Sequence, residues 1–361
     1  MRILIDIGHP GHVHLLKNFY HNQVRNGAKV FVTVKDIPIA KKLMDMYNIE
    51  YINLGKKQKS LLKKVFSQFL YNYKIYKLVK KNKIDVGIGT SVSIAHVSLF
   101  TKMKSILLDD DDDNIQPLFK YFVHPFYNTI LSPDPIKKNS KNNISYAGTH
   151  ELAYLHPERF IPNVDVIKNI GLSEGDIFFV IRFVALTGHH DIGHEGISLK
   201  QKRELINYLK PFGRIFITSE KKIEPEFEQY RIPVSPEEIH SLMYYATMFF
   251  GDSQTMTSEA ALLGTPALKC NTFAGKLSVP NDLEEKYQLC YAFQPCDFDK
   301  FMLKVNELLH AENIKEVWQK RVNKFLSEKI DVTAFMVWFV ENYPESHKIM
   351  KENPDYQYNF K

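Results

Sequence analysis

Short apolar runs alternating with helical stretches constrain this chain more than any other feature. RILIDIG (2–8), KVFVTVK (29–35), YINLG (51–55), DVGIGT (85–90), SILLDD (105–110) and NTILSP (128–133) are β-rich and end in glycine or polar residues. Helical patterns separate most of them, and such alternation builds parallel strands joined by crossover helices. The proline-punctuated HPERFIPNVDV (156–166) breaks the rhythm and reads as a linker. The pattern then restarts with IFFVIRF (177–183), RIFITSE (214–220), MFFGDS (248–253) and PALKCN (266–271). The expectation is an α/β chain of two doubly wound, Rossmann-like domains, 1–160 and 161–330. A helical, aromatic-rich segment at 331–361 is expected to pack across their junction. Ligands of such sheets sit outside the carboxyl ends of the strands, so the expected site is the cleft between the domains.

Composition narrows the class. Hydrophobic residues make up 44% and charged residues 24%, as in ordinary soluble domains. MRILIDIGHPGHVHL enters a strand at once without a signal-peptide pattern, and apolar runs stop short of the roughly 18 residues a spanning helix needs. Cys270, Cys290 and Cys296 form no CxxC pair, which suits a reducing compartment; the expected location is cytoplasmic. The net charge of +6 is concentrated between Lys56 and Lys83, where ten lysines occur without an acid. Leu61, Leu62, Val65, Phe66, Phe69, Tyr73 and Tyr76 fall on one helical stripe there, with Lys63, Lys64, Lys74, Lys77 and Lys81 mostly opposite. One reading packs the stripe on its own domain and solvates the lysines. The other brings the helix to an anionic membrane or lipid phosphate at the inner face of the cell membrane. No nucleic-acid reading motif accompanies the charge, so no nucleic-acid partner is expected.

Four loops carry residues suited to chemistry. After the first strand, Gly8 and Gly11 allow close backbone approach, and a helix starting near His12 presents free amides. The positive end of the helix dipole disfavours an imidazolium, making His12 a candidate base or acceptor-positioning group; the alternative is that His9, His12 and His14 only cap and pack. In LLDDDDDN (107–114), Asp109 and Asp110 leave a strand end where one could deprotonate a hydroxyl or bind a cation. Otherwise the run is a solvated loop with Asp113 or Asn114 as N-cap. In RFVALTGHHDIGHEG (182–196), Arg182, His189, His190 and Asp191 are candidate phosphate or sugar contacts. His194 and Glu195 add metal-ligand chemistry, but no helical spacing of the kind zinc-protease motifs use supports it. No metal and no cofactor is expected. Finally, GDSQTMTSEAALLGTPAL (251–268) starts a helix with a hydroxyl cluster. Amides at 254–257 with Ser253 and Thr255 would cradle a diphosphate. Glu259, one turn further, would accept the hydroxyls of a ribose or merely offset the dipole.

With these loops the sequence resembles GT-B-type sugar-nucleotide enzymes, and DIGHPGHVHLLKNF, GHHDIGHEG and GDSQTMTSEAALLGTPAL carry its resemblance to one family placed beside them. The chain is most similar to the family catalogued as domain of unknown function 354. It also resembles the N-acetylglucosaminyltransferase that makes lipid II and the UDP-N-acetylglucosamine 2-epimerase. The resemblance implies a GT-B-like fold with an interdomain cleft and puts His12 at the transferase's cleft histidine. It also puts Glu259 on a ribose and Ser253, Gln254, Thr255, Met256 and Thr257 near phosphates. The epimerase signatures are replaced: Gly89-Thr90-Ser91 stands for Gly-Asp-Thr, and TGHHDIGHE for its Thr-x-His-Arg-x-Glu-Asn motif. The resemblance therefore implies a metal-independent, inverting glycosyltransferase for cell-surface polysaccharide or glycolipid synthesis. It would use a UDP-sugar donor and a saccharide or lipid-linked acceptor. The alternatives are a 2-epimerase-like enzyme and a non-catalytic sugar-nucleotide-binding protein.

Overall fold

The computed structural model describes residues 1–56, 61–184, 195–219 and 223–361. They form two compact α/β units, one of Met1–Arg159 with Lys329–Lys361 and one of Phe160–Glu328. The first carries β1 (Arg2–Ile7), β2 (Lys29–Asp36), β3 (Ile52–Lys56), β4 (Val86–Gly89), β5 (Lys104–Leu108), β6 (Thr129–Pro133) and β7 (Asn143–Tyr146). These pair in the order β3-β2-β1-β4-β5-β6-β7, all parallel. The second carries β8 (Phe178–Phe183), β9 (Arg214–Ser219), β10 (Met248–Gly251), β11 (Ala267–Cys270) and β12 (Cys290–Phe293). Their order is β12-β11-β10-β8-β9, again parallel.

The central strands are apolar throughout because helices cover both faces of a parallel sheet: Ile3, Leu4 and Ile5, and Met248, Phe249 and Phe250, are all buried. Two edge strands, β7 and β12, were not evident in the sequence. Each is four residues long, and Asn143 and Ser145 interrupt the apolar pattern of β7. Strand order reverses between β1 and β4 in one sheet and between β8 and β10 in the other. Such switch points open a crevice at the strand ends.

The lysine-rich segment forms a helix, Leu61–Asn82, but its buried face differs from the expected stripe. Tyr71, Ile75 and Val79 enter the core with Leu54, Ile94 and Val97. Gln68 and Asn72 bond to Ser93 and His96 of the next helix, Val92–Ser98. Phe66, Phe69, Leu70 and Tyr73 are left exposed, a stripe at i, i+3, i+4 and i+7. Periodicity identified an amphipathic helix; with two apolar faces, it did not say which one the sheet would take.

The C-terminal segment completes the first unit. Ile330 donates its amide to the Ala147 carbonyl and Thr333 its hydroxyl to that of Ala153, while Gln357 Oε1 accepts from the Ala147 amide. Phe335 is fully buried against the rings of Tyr146, Trp338, Phe339 and Phe360. This segment therefore holds the turn that comes after β7. Phe335→Ala, leaving a cavity at that junction, is expected to lower stability by roughly 3–5 kcal/mol, read as a drop in the urea midpoint with an unchanged slope.

Candidate active site

In the first unit, the switch point is bridged by His12. His9, not His12, caps the helix Pro10–Arg25, its Nδ1 accepting the Gly11 amide at 3.1 Å. His12 lies in the first turn with Nδ1 accepting the Gly8 amide at 3.2 Å, and Thr90 Oγ1, after β4, sits 3.0 Å from Nδ1. Burial, reinforced by His9, pulls the imidazole down to about 3. A ring nitrogen that accepts an amide carries no proton, so neutral His12 bears its hydrogen on Nε2. That hydrogen lies against Thr90, whose Oγ1 is 3.1 Å from Nε2, so the ring is held between Gly8 and Thr90. His14 packs and bonds to Tyr47. Asp6, a residue sequence reasoning passed over, ties the strand ends together by accepting from Thr33 (2.6 Å) and Ser91.

The acidic loop after β5 divides its carboxylates among different partners. Asp109 is buried, 2.6 Å from Lys138 Nζ and 2.8 Å from His124 Nε2. Lys138 also reaches Asp113 Oδ1 (3.0 Å) and the Asp111 carbonyl (2.5 Å). Asp109 is thus bound into the loop's framework and is not poised for proton transfer. Asp113 pairs with Lys138 and Lys120 instead of capping a helix; the next one, Pro117–Phe122, starts after Gln116. Asp110 is 46% exposed and lies 3.2 Å from His150 Nδ1. Although burial opposes it, the His150 charge holds Asp110 below the usual carboxylate range, and the reciprocal pull raises His150. Asp111 accepts from the Gln116 amide; burial and then the charges of Asp110 and Asp109 push it up to about 7. Glu151, beside His150, is likewise raised to about 7 by burial and by Asp110. His150 and Glu151 come after β7, the strand hidden in the sequence, so nothing had drawn attention to them.

In the second unit, the helix Gln254–Leu262 begins directly beyond β10, capped by Ser253, whose Oγ accepts the Met256 amide at 3.3 Å. Thr257 returns its hydroxyl to the Ser253 carbonyl (2.6 Å) and is buried. The two hydroxyls of Ser253 and Thr257 are spent within the helix start. Helix geometry leaves the amides of Gln254 and Thr255 without an acceptor inside the helix, and Thr255 is exposed. Behind them Lys269, 1% exposed, places Nζ 2.5 Å from Gln254 Oε1. Gln254 Nε2 donates in turn to Asn271. Glu259 does not face outward as a ribose contact would. It is 5% exposed and bonded to His240 Nε2 at 3.0 Å, because the helix Ile239–Tyr245 packs over it. Arg182 directs Nη1 to Thr218 (3.0 Å), along the sheet. His189, His190 and Asp191 lie outside the described residues. Where the loop resumes, Asp252 Oδ1 accepts the Val184 amide at 2.7 Å and the carboxylate also takes that of Ile197. An added Cβ at Gly196 would fall 2.4 Å from Asp252 Oδ2, so glycine is required there. Among the described residues, no three His, Cys, Asp or Glu side chains are grouped as a metal site.

The family model described as "protein of unknown function (DUF354)" matches residues 1–289. The chain belongs to this family. An uncharacterised protein of Methanocaldococcus jannaschii is 23% identical over 330 residues, 87% of this chain and 89% of that one. Among solved structures, the S. aureus protein MnaA with UDP matches with a TM-score of 0.68 at 10% identity, covering 96% of this chain and 97% of that one. The M. jannaschii UDP-GlcNAc 2-epimerase with UDP-GlcNAc and UDP matches at 0.61 and 14%, covering 91% and 99%. The spinosyn rhamnosyltransferase SpnG with spinosyn aglycone matches at 0.62 and 11%, covering 95% and 100%. The fold is thus that of GT-B proteins, as the alternation of strands and helices and the DUF354 resemblance implied.

Two titrations test this electrostatic arrangement. His12 imidazole signals are expected to stay those of the neutral Nε2–H form from pH 8 to pH 5 in 15N spectra, while His150 titrates above the ordinary histidine range. Asp252, raised by burial to about 6, keeps in the folded state a proton that the unfolded chain loses near pH 4. Its contribution to stability therefore falls as pH rises from about 4 to 6. Asp252→Asn is expected to remove that decline from the dependence of Tm on pH.

Proposed function

We propose that this DUF354 protein is a glycosyltransferase that moves a sugar from a UDP-linked donor to a hydroxyl acceptor in cell-surface polysaccharide or glycolipid synthesis. The observation that carries the reading is the start of the helix Gln254–Leu262, set at a switch point with open amides at Gln254 and Thr255. The buried Lys269 ammonium lies behind it. An N-terminal helix dipole and a buried cation both stabilise a departing diphosphate. The need is greatest in the transition state, when the glycosidic bond breaks and its electron pair passes to the phosphate oxygen. Fold relatives solved with UDP and with a glycosyl acceptor support the choice of substrates. UDP is expected to raise Tm by mass action. Lys269→Met, which replaces a buried ammonium with an apolar side chain of similar length, is expected to fold and to weaken UDP binding about tenfold. Absence of any shift with UDP in the parent protein would remove the reading.

A second reading, 2-epimerisation of a UDP-sugar, is favoured by the epimerases among the fold relatives. Incubation with UDP-GlcNAc alone separates the two: an epimerase yields the C2 epimer without an acceptor, whereas a transferase releases UDP slowly to water.

The acceptor we infer is lipid-linked. No helix among the described residues is long and apolar enough to cross a membrane. The exposed Phe66, Phe69, Leu70 and Tyr73 stripe nevertheless carries Lys77 over the Tyr73 ring at 4.5 Å, within a segment free of acids. Apolar side chains flanked by ammonium groups suit the interface of an anionic bilayer. The protein is expected to sediment with phosphatidylglycerol vesicles and not with phosphatidylcholine vesicles. Binding should fall as salt screens the lysines and in the double variant Phe66→Ser, Phe69→Ser.

A further inference from the structure

The helix Pro117–Phe122 is built almost wholly from apolar residues, PLFKYF, yet none of them is buried. Phe119 packs against the core and meets the His124 ring edge-on at 5.5 Å. Leu118, Tyr121 and Phe122, at i, i+3 and i+4, share one side of the helix and are between 64% and 73% exposed. A helix normally turns such a side toward the protein interior. The elements beside it repeat the pattern. Phe126, itself exposed, meets the ring of His96 at 6.0 Å, and Ser98 Oγ donates to the Phe126 carbonyl at 3.4 Å. The helix carrying His96, Val92–Ser98, runs out into exposed Leu99 and Phe100 and is bonded to the lysine-rich helix through Gln68 and Asn72. Neighbouring elements thus each leave large apolar side chains in the open, which singly scattered surface residues do not produce.

Charge selects the occupant. Residues 57–108, which include two of these helices, hold eleven lysines and one acid, Asp85, and Asp85 accepts the Arg2 amide at 2.8 Å. The carboxylates next to Pro117–Phe122 are engaged, Asp113 by Lys120 and Lys138 and Asp111 by the Gln116 side chain. A second copy docked face to face would set ammonium groups against one another, whereas anionic lipid neutralises them.

We propose that Pro117–Phe122 is a second membrane contact, an interfacial helix that sinks Leu118, Tyr121 and Phe122 into the acyl boundary of an anionic bilayer. It rests on the membrane part of the proposed function, not on the transfer reaction, and it adds a separate helix to that contact. Interfacial helices bury their apolar side about 5–10 Å below the headgroups, a depth that these three side chains suit. Gln116, the residue before the helix, is bonded to Asp111, and Lys120 within it to Asp113. Insertion therefore holds the acidic loop and the carboxyl end of β5 at headgroup level, where a lipid-linked acceptor displays its polar head. The sequence placed its membrane candidate in the lysine-rich helix alone; PLFKYF is too short to show a period, and only its exposure marks it.

The test uses the full chain with phosphatidylglycerol vesicles. In Tyr121→Trp, fluorescence is expected to move to the blue on binding. Phosphatidylglycerol brominated along its acyl chains should quench it more than it quenches Trp318 and Trp338 of the parent. Leu118→Ser combined with Phe122→Ser is expected to lower partitioning onto the vesicles about tenfold or more with Tm unchanged, because both side chains already face solvent. The inference is overturned, with the lysine-rich helix kept as the membrane contact, if the parent binds but the introduced indole is not quenched or the double variant partitions like the parent. A dimer formed without lipid and dissociated by the double variant overturns it in favour of a second copy. If the parent binds no phosphatidylglycerol vesicles, the membrane reading itself fails, and the role of this helix falls with it.

Discussion

The first unit depends on one ammonium group. Lys138, its side chain 2% exposed, sits among Asp109, Asp113 and the Asp111 carbonyl. Five consecutive aspartates at a strand end would repel one another and stay in solvent if left to themselves. One buried cation with three oxygen partners lets the loop turn inward: it hydrogen-bonds the Asp111 carbonyl and lies within 3.0 Å of a carboxylate oxygen of both Asp109 and Asp113. Breaking such a group would leave buried charge uncompensated, a cost of several kcal/mol. Lys138 thus answers the carboxylates of Asp109 and Asp113, while those of Asp110, Asp111 and Asp112 take other partners.

The second unit uses the same economy with different groups. Asp252 gathers the amides of Val184 and Ile197, which brings both ends of the intervening loop to the end of β10. Gln254, Lys269 and Asn271 join the new helix to β11. Each of these buried polar groups has a partner, and the amides of Gln254 and Thr255, at the helix start, have no acceptor within the helix.

The positions of the loops could be read in the sequence, since each comes after an apolar run whose end is marked by glycine or a polar residue. The roles within them could not. His12 was legible as a first-turn histidine that stays neutral, yet the nitrogen its ring offers depends on the Gly8 amide folding back onto Nδ1. Glu259 was legible as an acid in an otherwise small and apolar helix. Its burial depends on His240, 19 residues earlier in the chain. His150 and Glu151 were passed over because β7 is a four-residue edge strand with polar alternation, too short to produce a periodic signal. Lys138 looks in the sequence like one more surface lysine.

Architecture is written locally along the chain: two parallel α/β units, the ends of their central strands, and membership in a family with the GT-B fold. Apolar runs, helix periods and glycine turns act over a few residues, so they can be read without knowing what lies beside them. Only the folded arrangement settles which carboxylate is bound into the loop, which is open, and which apolar face of the lysine-rich helix meets the sheet. Charge pairing and burial act between groups far apart along the chain, so the proton affinity of Asp111 or the enclosure of Glu259 exists only once the strands that carry their partners are side by side.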